Sequence, residues 1–136
     1  MKIVPSEFSN SAWDCFIFAK EIAYKNYQQD VYSDNLLLAL IKDDNCTKKI
    51  LKKNKVNLTN LDREIISSLN EKAKMKNKQD NLYIGDTLYK IFLKANDIRN
   101  TLDDVVISTE HLIYTFIYDK EIWITNFKSK RYPRIS

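Results

Sequence analysis

Residues 107–116, ISTEHLIYTF, have a counterpart at residues 31–40, VYSDNLLLAL. The two stretches lie 76 residues apart (107 − 31), and the similarity continues on both sides at the same offset. The aligned pairs include Val31 with Ile107, Asp34 with Glu110, Leu36 with Leu112, Phe16 with Phe92 and Ala19 with Ala95. Apolar positions that align over two helix-like stretches and the gap between them indicate an internal duplication, which predicts tandem repeats.

Each copy of the stretch has the pattern of a short buried helix. The hydroxyl of Ser33 in the first copy, and of Ser108 or Thr109 in the second, can accept hydrogen bonds from the first free backbone N–H groups. Asp34 and Glu110 lie where the helix dipole favours negative charge. The residues after them follow i, i+1, i+4, i+5 spacing, which predicts one broad apolar face. They are Leu36, Leu37, Leu40 and Ile41 in the first copy and Leu112, Ile113, Phe116 and Ile117 in the second.

The composition indicates one globular, all-α domain. The chain has 136 residues, of which 44% are hydrophobic and 29% charged, and a chain of this length buries about two-thirds of its unfolded surface. Its one glycine is Gly85, and its two prolines, Pro5 and Pro133, lie near the ends. So few turn-forming residues favour helices throughout. Within one domain at 1–136 we expect repeat 1 at 8–69, a lysine-rich linker at 70–82, a partial repeat 2 at 83–119 and a divergent basic tail at 120–136.

The sequence also predicts where individual helices begin and end. Ser9 or Asn10 can cap a first helix that runs to about Tyr27, with Ile17 on its inner side. Short helices are expected at 35–41, 47–53 and 109–118. Three further signals are Asn54 as a left-handed stop after the third helix, a Thr59–Asp62 pair that resembles a capping box, and Asp86 as a cap in repeat 2.

Several classes of chemistry are excluded by residue counts. A P-loop and a GxGxxG dinucleotide site both need several glycines, and this chain has one. One histidine and two cysteines that form no CxxC provide no zinc-ligand pattern, so we expect neither a metal nor another cofactor in this chain. No apolar run approaches the roughly 18 residues that a membrane span needs. Residues 1–8 lack the apolar core of a signal peptide. Cys15 and Cys46 are interpreted as reduced thiols.

The positive net charge is concentrated at the C-terminal end. The chain has 22 basic and 18 acidic residues, and four basic residues but no acid lie within the last eleven. The rest of the chain is neutral, so the net charge of +4 is a weak argument for binding nucleic acid. The lysines of the linker are expected to be solvated.

His111 is the only histidine, and any Ser–His–acid triad would need it. It lies in the first turn of a predicted helix with no nucleophile on a strained turn nearby, so we expect a structural or capping role and no catalysis. Asp34 and Glu110, related by the duplication, are either a pair of functional carboxylates or the acids that helix starts favour. Most aromatic residues are predicted to pack in the core, whereas Tyr32 and Tyr83 are among those that could border a groove.

Taken together, these segments resemble the Clp N-terminal domain, the doubled four-helix repeat in front of the ATPase rings of ClpA, ClpB and ClpC unfoldases. The resemblance is carried by F-S-x-x-A from Phe8, V-x-S-D-x-L-L-L-A-L from Val31, V-N-L-x-x-L from Val56 and S-T-E-H-L from Ser108. It covers residues 8–69 and 84–119. It implies a pseudo-twofold bundle of up to about eight helices, with the second repeat divergent or truncated.

The resemblance also implies a function, the docking of unfolded client proteins or an adaptor for a hexameric AAA+ motor. This chain would then be a fragment of an AAA+ ATPase, without catalytic activity, and ATP would bind only to downstream domains. The isolated domain is expected to be a monomer. The parent protein would serve as a chaperone in protein quality control, unfolding proteins for proteolysis or disaggregation.

The same resemblance implies candidate docking residues. In some ClpC proteins each repeat binds a phosphorylated arginine through a threonine near its first helix and the glutamate of the T-E-H motif. The matching positions are Ser9 with Asp34, and Gly85 with Glu110, although Gly85 has no hydroxyl. These four residues, with Tyr32 and Tyr83, form the predicted substrate- or adaptor-binding site.

Two other functions stay open at this point. The chain could be a stand-alone accessory protein that binds the assembled Clp protease. It could also be a small helical nucleic-acid binder that uses the linker lysines and the basic tail, although this is the weaker alternative. We expect a reducing compartment, either the bacterial cytoplasm or the stroma of a plastid or apicoplast, with no secretion and no membrane partner.

Overall fold

A computed structural model describes residues 3–122 of the chain. Within this range the chain forms six α-helices, one short 3-10 helix and two strands of two residues each. The helices are α1 (Asn10–Lys25), α2 (Ser33–Asp43), α3 (Asn45–Lys53), α4 (Leu58–Asn70), α5 (Asp86–Thr101) and α6 (Thr109–Tyr118). The 3-10 helix is Pro5–Glu7, and the strands are β1 (Asp30–Val31) and β2 (Tyr83–Ile84). The all-α prediction is confirmed. Residues 123–136 of the predicted tail lie outside the described residues.

The first long helix of each half ends in the same way. α1 and α5 both have 16 residues. Each is followed by a residue in the left-handed conformation, Tyr27 with φ 59° and Asp103 with φ 58°, at positions 76 apart. This conformation is uncommon for residues other than glycine. Its recurrence at equivalent positions agrees with two pseudo-symmetric repeats, whose bounds at 8–69 and 83–119 stay predictions.

The two halves exchange backbone contacts across the centre of the molecule. β1 and β2 pair in parallel, and the N–H of Gly85 donates to the carbonyl of Val31 at 2.9 Å. The equivalent bridge joins Phe8 and Ile107, where the N–H of Ser9 donates to the carbonyl of Ile107 at 2.9 Å. The residue before the first helix of each half is therefore bonded to the entry of the second helix of the other half.

The core lies around α2 and α6, the helices that the repeated stretch predicts. The eight predicted apolar positions on these two helices are all at most 6% exposed. α2 packs against α1, α3, α4 and α5, and α6 packs against α5 and α3, so each is covered on several sides. A cluster of rings closes one side of this core, with centroids 5.2–5.8 Å apart. Its members are Phe8, Trp13, Phe16 and Phe92.

The buried side of α1 differs in part from the predicted one. Ile17, predicted to point inward, is 44% exposed, whereas Cys15 and Ala19 are buried. Residues that face the same side of a helix recur every three or four positions. Cys15 and Ala19 follow that spacing from Ala12, and Ile17 falls outside it, so the prediction for Ile17 is wrong.

Two helix ends in repeat 1 differ from the sequence prediction. Asn57, and not Thr59, caps α4, because its side chain accepts the N–H of Asn60 at 3.0 Å. The left-handed residue after α3 is Lys55, with φ 63°, and not Asn54. Capping needs a residue whose backbone is still extended, and the path of the preceding chain decides which residue that is.

The starts of α2 and α5 also differ from the prediction. The N-cap of α2 is Tyr32, and Ser33 is already the first helical residue. The N-cap of α5 is Gly85, and Asp86 is the first helical residue. In both cases the residue predicted to cap the helix lies one position inside it. For Asp86, a negative charge in the first helical turn is still favoured by the helix dipole.

The predicted linker is exposed, but its backbone is tied to the end of α1. The N–H of Met75 donates to the carbonyl of Tyr27 at 2.7 Å. The side-chain amide of Asn26 donates to the carbonyl of Leu69, just before the linker, at 3.0 Å. The segment between the repeats is therefore mostly exposed, as predicted, and also follows a defined path along the first half.

Candidate functional site

Backbone hydrogen bonds place predicted site residues at two helix starts, those of α2 and α6. The hydrogen bond from Ser9 to Ile107 brings Ser9 to the start of α6, which carries Glu110. The bond from Gly85 to Val31 brings Gly85 to the start of α2, which carries Asp34. The pairs that the resemblance implies, Ser9 with Asp34 and Gly85 with Glu110, are thus exchanged in the backbone bonding between the halves. We call the two locations the α6 end (Ser9, Ser108 and Glu110) and the α2 end (Tyr32, Asp34 and Gly85).

At the α6 end, His111 holds the helix start in place. Its Nδ1 accepts the N–H of Ser108 at 2.8 Å, and its Nε2 lies 2.7 Å from a carboxylate oxygen of Asp104. An accepting Nδ1 leaves the proton of the neutral ring on Nε2, which donates to Asp104. The Ser108 hydroxyl in turn accepts the His111 N–H at 3.4 Å. His111 is 4% exposed, and the expected capping role is confirmed.

The α2 start uses the same device with a different residue. Asn35, which occupies the position equivalent to His111, accepts the N–H of Tyr32 through Oδ1 at 2.9 Å. Its amide group also exchanges hydrogen bonds with Gln28 at 2.8 and 3.1 Å. Both Asn35 and Gln28 are buried, and their side-chain polar atoms are hydrogen-bonded within the chain, as buried polar groups generally are.

Glu110 is the exposed acid of the α6 end. Cys46 Sγ donates to its carboxylate at 3.8 Å. Burial, and after it the charge of Glu110, raises the pKa of the Cys46 thiol, and the same two causes raise the pKa of Tyr114. Within residues 3–122, no cation lies at ion-pair distance from Glu110. Among the described residues, the Glu110 carboxylate is thus exposed at the α6 end without an ion-pair partner.

Asp34 at the α2 end has the opposite environment. It is only 1% exposed. Its carboxylate accepts the hydroxyl of Ser68 at 2.7 Å and forms an ion pair with Lys72 at 3.2 Å. The ammonium of Lys72 also lies 4.6 Å from the ring centroid of Tyr32. The negative charge of Asp34 is therefore compensated by residues of the same chain.

The remaining two predicted residues have simple placements. Gly85 is in van der Waals contact with Tyr32 at the α2 end, where it contributes no side chain. Tyr83 is 62% exposed on β2, where its N–H donates to the carbonyl of Gln29 at 3.1 Å. Burial, followed by the charge of Asp30, raises the pKa of Tyr32. The Tyr32 hydroxyl donates to Asp30 at 3.3 Å.

Sequence reasoning missed the residues that complete the α2 end. Ser68 and Lys72 bind Asp34, and the hydroxyl of Thr87 on α5 accepts the N–H of Ser33 at 3.0 Å. Lys72 lies in a run of lysines whose composition indicates a solvated segment. Nothing in that pattern distinguishes it from Lys74 or Lys76, because its role depends on a contact with a residue 38 positions away (72 − 34).

A surface cavity of about 650 Å³ lies between α5 and α6. Ile98, Leu102, Tyr114 and Tyr118 line it. The tyrosines that border this cavity are Tyr114 and Tyr118, and neither Tyr32 nor Tyr83 lines it.

The described residues provide neither a metal site nor a membrane span. No three His, Cys, Asp or Glu side chains within residues 3–122 are arranged to hold a metal ion. Within the same range, no helix combines the length and the apolar character that crossing a membrane requires. Cys15 and Cys46 are both free thiols, as expected.

The fold is that of the N-terminal domains of Clp-type chaperones. The structure is similar to the Hsp104 N-terminal domain from Candida albicans, with a TM-score of 0.77 at 19% identity, over 90% of this chain and 80% of that one. It is also similar to the N-terminal domain of ClpD from Arabidopsis thaliana, with a TM-score of 0.65 at 20% identity, over 93% of this chain and 91% of that one. The family model of the Clp repeat (R) N-terminal domain matches residues 7–129. The chain belongs to this family.

Proteins similar in sequence include chaperones named ClpB. The chain is 32% identical over 116 residues to the chaperone protein ClpB of Gloeobacter violaceus, which covers 85% of this chain and 13% of that protein. It is 29% identical over 115 residues to ClpB 2 of a Nostoc species, again over 85% of this chain and 13% of the relative. The chain therefore spans about an eighth of the length of the relatives it matches.

Proposed function

We propose that this chain is the substrate- or adaptor-docking domain of a Clp-family, ATP-dependent unfoldase. The observation that carries the proposal is the family match over residues 7–129, together with the 13% of ClpB that the chain spans. In this proposal the domain binds proteins and has no catalytic role. ATP is bound and hydrolysed by other domains of a hexameric parent protein.

The α6 end is the proposed contact surface for the docked protein. Glu110 is exposed there, and no cation of residues 3–122 compensates its charge. Ser9 and Ser108 lie nearby as the N-caps of α1 and α6, two helices that belong to opposite halves. An exposed acid next to hydroxyl groups favours cationic and hydrogen-bonding groups of a client or adaptor.

Binding of a labelled, permanently unfolded protein tests the proposal. We expect the fluorescence anisotropy of the label to rise and saturate as the purified chain is added, and Glu110→Gln to weaken binding severalfold. Asp103→Asn is the matched control, because it removes an exposed acid from the α5–α6 turn at a position where Asn tolerates the left-handed conformation. Absence of saturable binding, or equal binding of a compact folded protein, would contradict the proposed function.

The proposed location is a reducing compartment, either a bacterial cytoplasm or a plastid stroma. Two free thiols, one of them buried, support it. Cyanobacterial ClpB proteins among the relatives support a bacterial or plastid setting. A fluorescent fusion of the chain, expressed in its own host, tests the location; accumulation in an oxidising compartment would contradict it.

A further inference from the structure

The cavity between α5 and α6 has an apolar wall that the rest of the described chain leaves uncovered. Leu102 is 56% exposed and Tyr118 is 45% exposed. A second cavity, of about 420 Å³, adjoins this one, since Lys94 and Asp97 line both. We call the two cavities together the α5–α6 groove. It follows α5 over residues 87–102, about 22 Å at 1.5 Å per residue, which is the length of a helix of about four turns.

The first half of the molecule shows which kind of element covers the equivalent surface. At the offset of 76 residues, Leu102 corresponds to Asn26 and Tyr114 to Leu38. The amide of Asn26 donates to the carbonyl of Leu69 at 3.0 Å, which fixes the end of α4 beside α1, and α4 also packs against α2. A helix therefore packs against this side of the α1–α2 pair, whereas within residues 3–122 the same side of the α5–α6 pair is an open groove.

α4 uses one apolar face for this packing. Leu61, Ile65 and Leu69 recur at every fourth position and are at most 5% exposed. Residues 123–136 correspond at the offset of 76 to residues 47–60, which are α3 and the approach to α4, and so do not include these three apolar positions. The element that matches the groove is an amphipathic helix with aliphatic side chains at i, i+4 and i+8.

The surroundings of the groove are acidic. Residues 94–119 have a net charge of −3 with His111 neutral, in a chain whose net charge is +4. Their five acids are Asp97, Asp103, Asp104, Glu110 and Asp119, against Lys94 and Arg99. Asp119 pairs with Lys94 at 3.7 Å, whereas Asp97, which lines the groove, has no ion-pair partner in the described part of the chain. Opposite charges steer and orient partners, so this groove favours a helix with lysines or arginines beside its apolar face.

We propose that the α5–α6 groove binds a cationic amphipathic helix of a partner protein, seated against the second half as α4 is seated against the first. The partner helix places its aliphatic stripe on Ile98, Leu102 and Tyr118 and its cationic flank towards Asp97. This contact is separate from the α6 end, because Glu110 does not line the groove, and it does not rest on the docking of unfolded proteins.

Titration of the full chain with designed helical peptides tests the proposal. The probe peptide has leucines at i, i+4 and i+8 with lysines flanking this stripe. The comparison peptides are a scrambled peptide of the same composition and one with glutamates in place of the lysines. We expect saturable NMR shifts of the amides of Ile98, Leu102 and Tyr118, and at least tenfold weaker binding of both comparison peptides. Equal binding of the scrambled peptide, no saturable binding of the probe, or shifts confined to other surfaces overturns the proposal.

The apolar wall is tested by one exposed residue and a matched control. Leu102→Ala should weaken binding of the probe peptide at least fivefold. Ile66→Ala should leave it unchanged, because it shortens a side chain of similar exposure, 43%, on α4 in the other half. Both side chains are largely exposed, so neither variant should lose much stability in urea. Unchanged binding by Leu102→Ala contradicts the proposed seat.

The cationic flank is tested by a charge change. Asp97→Asn should weaken binding of the probe peptide severalfold at low salt, and the difference should shrink as the ionic strength rises. Glu21→Gln is the matched control, because residue 21 is the position of α1 equivalent to Asp97 and is likewise an exposed acid. Equal weakening by the two variants would show a general charge effect and overturn the electrostatic part of the seat.

Other occupants of the groove give distinct results. If NOEs in the free protein join the side chains of Leu102 or Tyr118 to residues 123–136 or to another segment of the same polypeptide, that segment fills the groove and the proposal is overturned. If sedimentation shows a dimer that Leu102→Ala dissociates, the occupant is a second copy of this chain, which overturns it equally.

Glu110→Gln separates the groove from the docking function. It should weaken binding of the unfolded protein and leave binding of the probe peptide nearly unchanged. If the peptide binds in the groove and no unfolded protein binds the chain, the groove stands and the proposed function fails. If unfolded proteins bind and the peptide does not, the docking function stands and the groove proposal is refuted.

Discussion

The ring of Tyr32 lies so close to Gly85 that a Cβ atom on Gly85 would stand 2.6 Å from the ring Cδ1. Gly85 has φ −72° and ψ 161°, which any residue adopts, so this glycine provides space and not conformational freedom. The equivalent positions in the other half are Ser9 and Ser108, where a small N-cap residue leaves room for a side chain. Residues 32 and 85 are therefore a pair matched in size across the two halves.

We expect Gly85→Ser to destabilise the domain by about 1–3 kcal/mol, because the added atoms overpack against Tyr32 and the Val31 carbonyl oxygen at 3.0 Å. The free energy of unfolding in urea measures the effect. In the double variant Tyr32→Ser with Gly85→Ser, much of this loss should be relieved, giving a coupling energy of about 1 kcal/mol or more.

The control for this pair is Ser9→Gly in the other half. It removes the N-cap hydroxyl that accepts the Ala12 N–H at 3.1 Å, and replacing such a cap by glycine costs only a few tenths of a kcal/mol. Equal destabilisation by Ser9→Gly and Gly85→Ser would contradict the size-matching explanation.

The acceptor on residue 111 is expected to matter more than the imidazole itself. His111→Ala leaves the N–H of Ser108 without its acceptor and should cost about 1–3 kcal/mol in urea denaturation. His111→Asn should cost less, because an amide oxygen can accept that N–H, as Asn35 does for Tyr32. A variant with Asn as unstable as the one with Ala would show that volume, and not the hydrogen bond, stabilises the α6 start.

Removal of the Glu110 charge is expected to activate Cys46. Burial and the Glu110 carboxylate both raise the pKa of Cys46, so the wild-type thiol holds little of the reactive thiolate at pH 8. Glu110→Gln lowers that pKa and should increase the rate of alkylation by iodoacetamide severalfold, as measured by mass spectrometry.

Cys15 is the internal control for this experiment. Burial, followed by the nearby charges of Asp44, Asp43 and Asp14, raises the pKa of Cys15 to about 12. We expect no alkylation of Cys15 in the folded domain, with or without Glu110→Gln. Faster labelling of both thiols would indicate loosening of the fold and not an electrostatic effect.

The connection between the halves is expected to contain one protected amide. The N–H of Met75 donates to the carbonyl of Tyr27 at 2.7 Å, whereas no backbone hydrogen bond holds the N–H of Lys76 within the described residues. Hydrogen exchange should therefore be slower at Met75 than at Lys76, measured residue by residue by NMR. Equal rates would contradict the defined path of this segment.

The sequence predicted the buried helices well, because their signals are local. The bounds of α6, Thr109–Tyr118, follow from a hydroxyl, an acid and an apolar run that all lie within ten residues. The start of α4 was not predictable in the same way. Asn57 and Thr59 are both good caps by composition, and the chain path into the helix selects Asn57. The prediction for Ile17 was wrong because apolar character alone does not determine burial, which also depends on which helices pack against α1.

The duplication marks the two acids of the candidate site in the sequence, and the structure shows which residues surround each of them. Asp34 and Glu110 are visible through the duplication, but their different environments depend on Lys72, which no periodic pattern marks. The resemblance paired Ser9 with Asp34, whereas the backbone brings Ser9 to the α6 entry. Both features depend on contacts between residues that are distant in the chain.

By itself, the sequence determined that two copies of a helical unit exist and which faces of their central helices are apolar. Only the tertiary structure decided that each half completes the other, with Ser9 bonded to Ile107 and Gly85 to Val31, and that Lys72 pairs with Asp34. The physical reason is that periodicity and capping are properties of neighbouring residues. The closing of two halves on each other depends instead on shape and charge over the whole surface that they share.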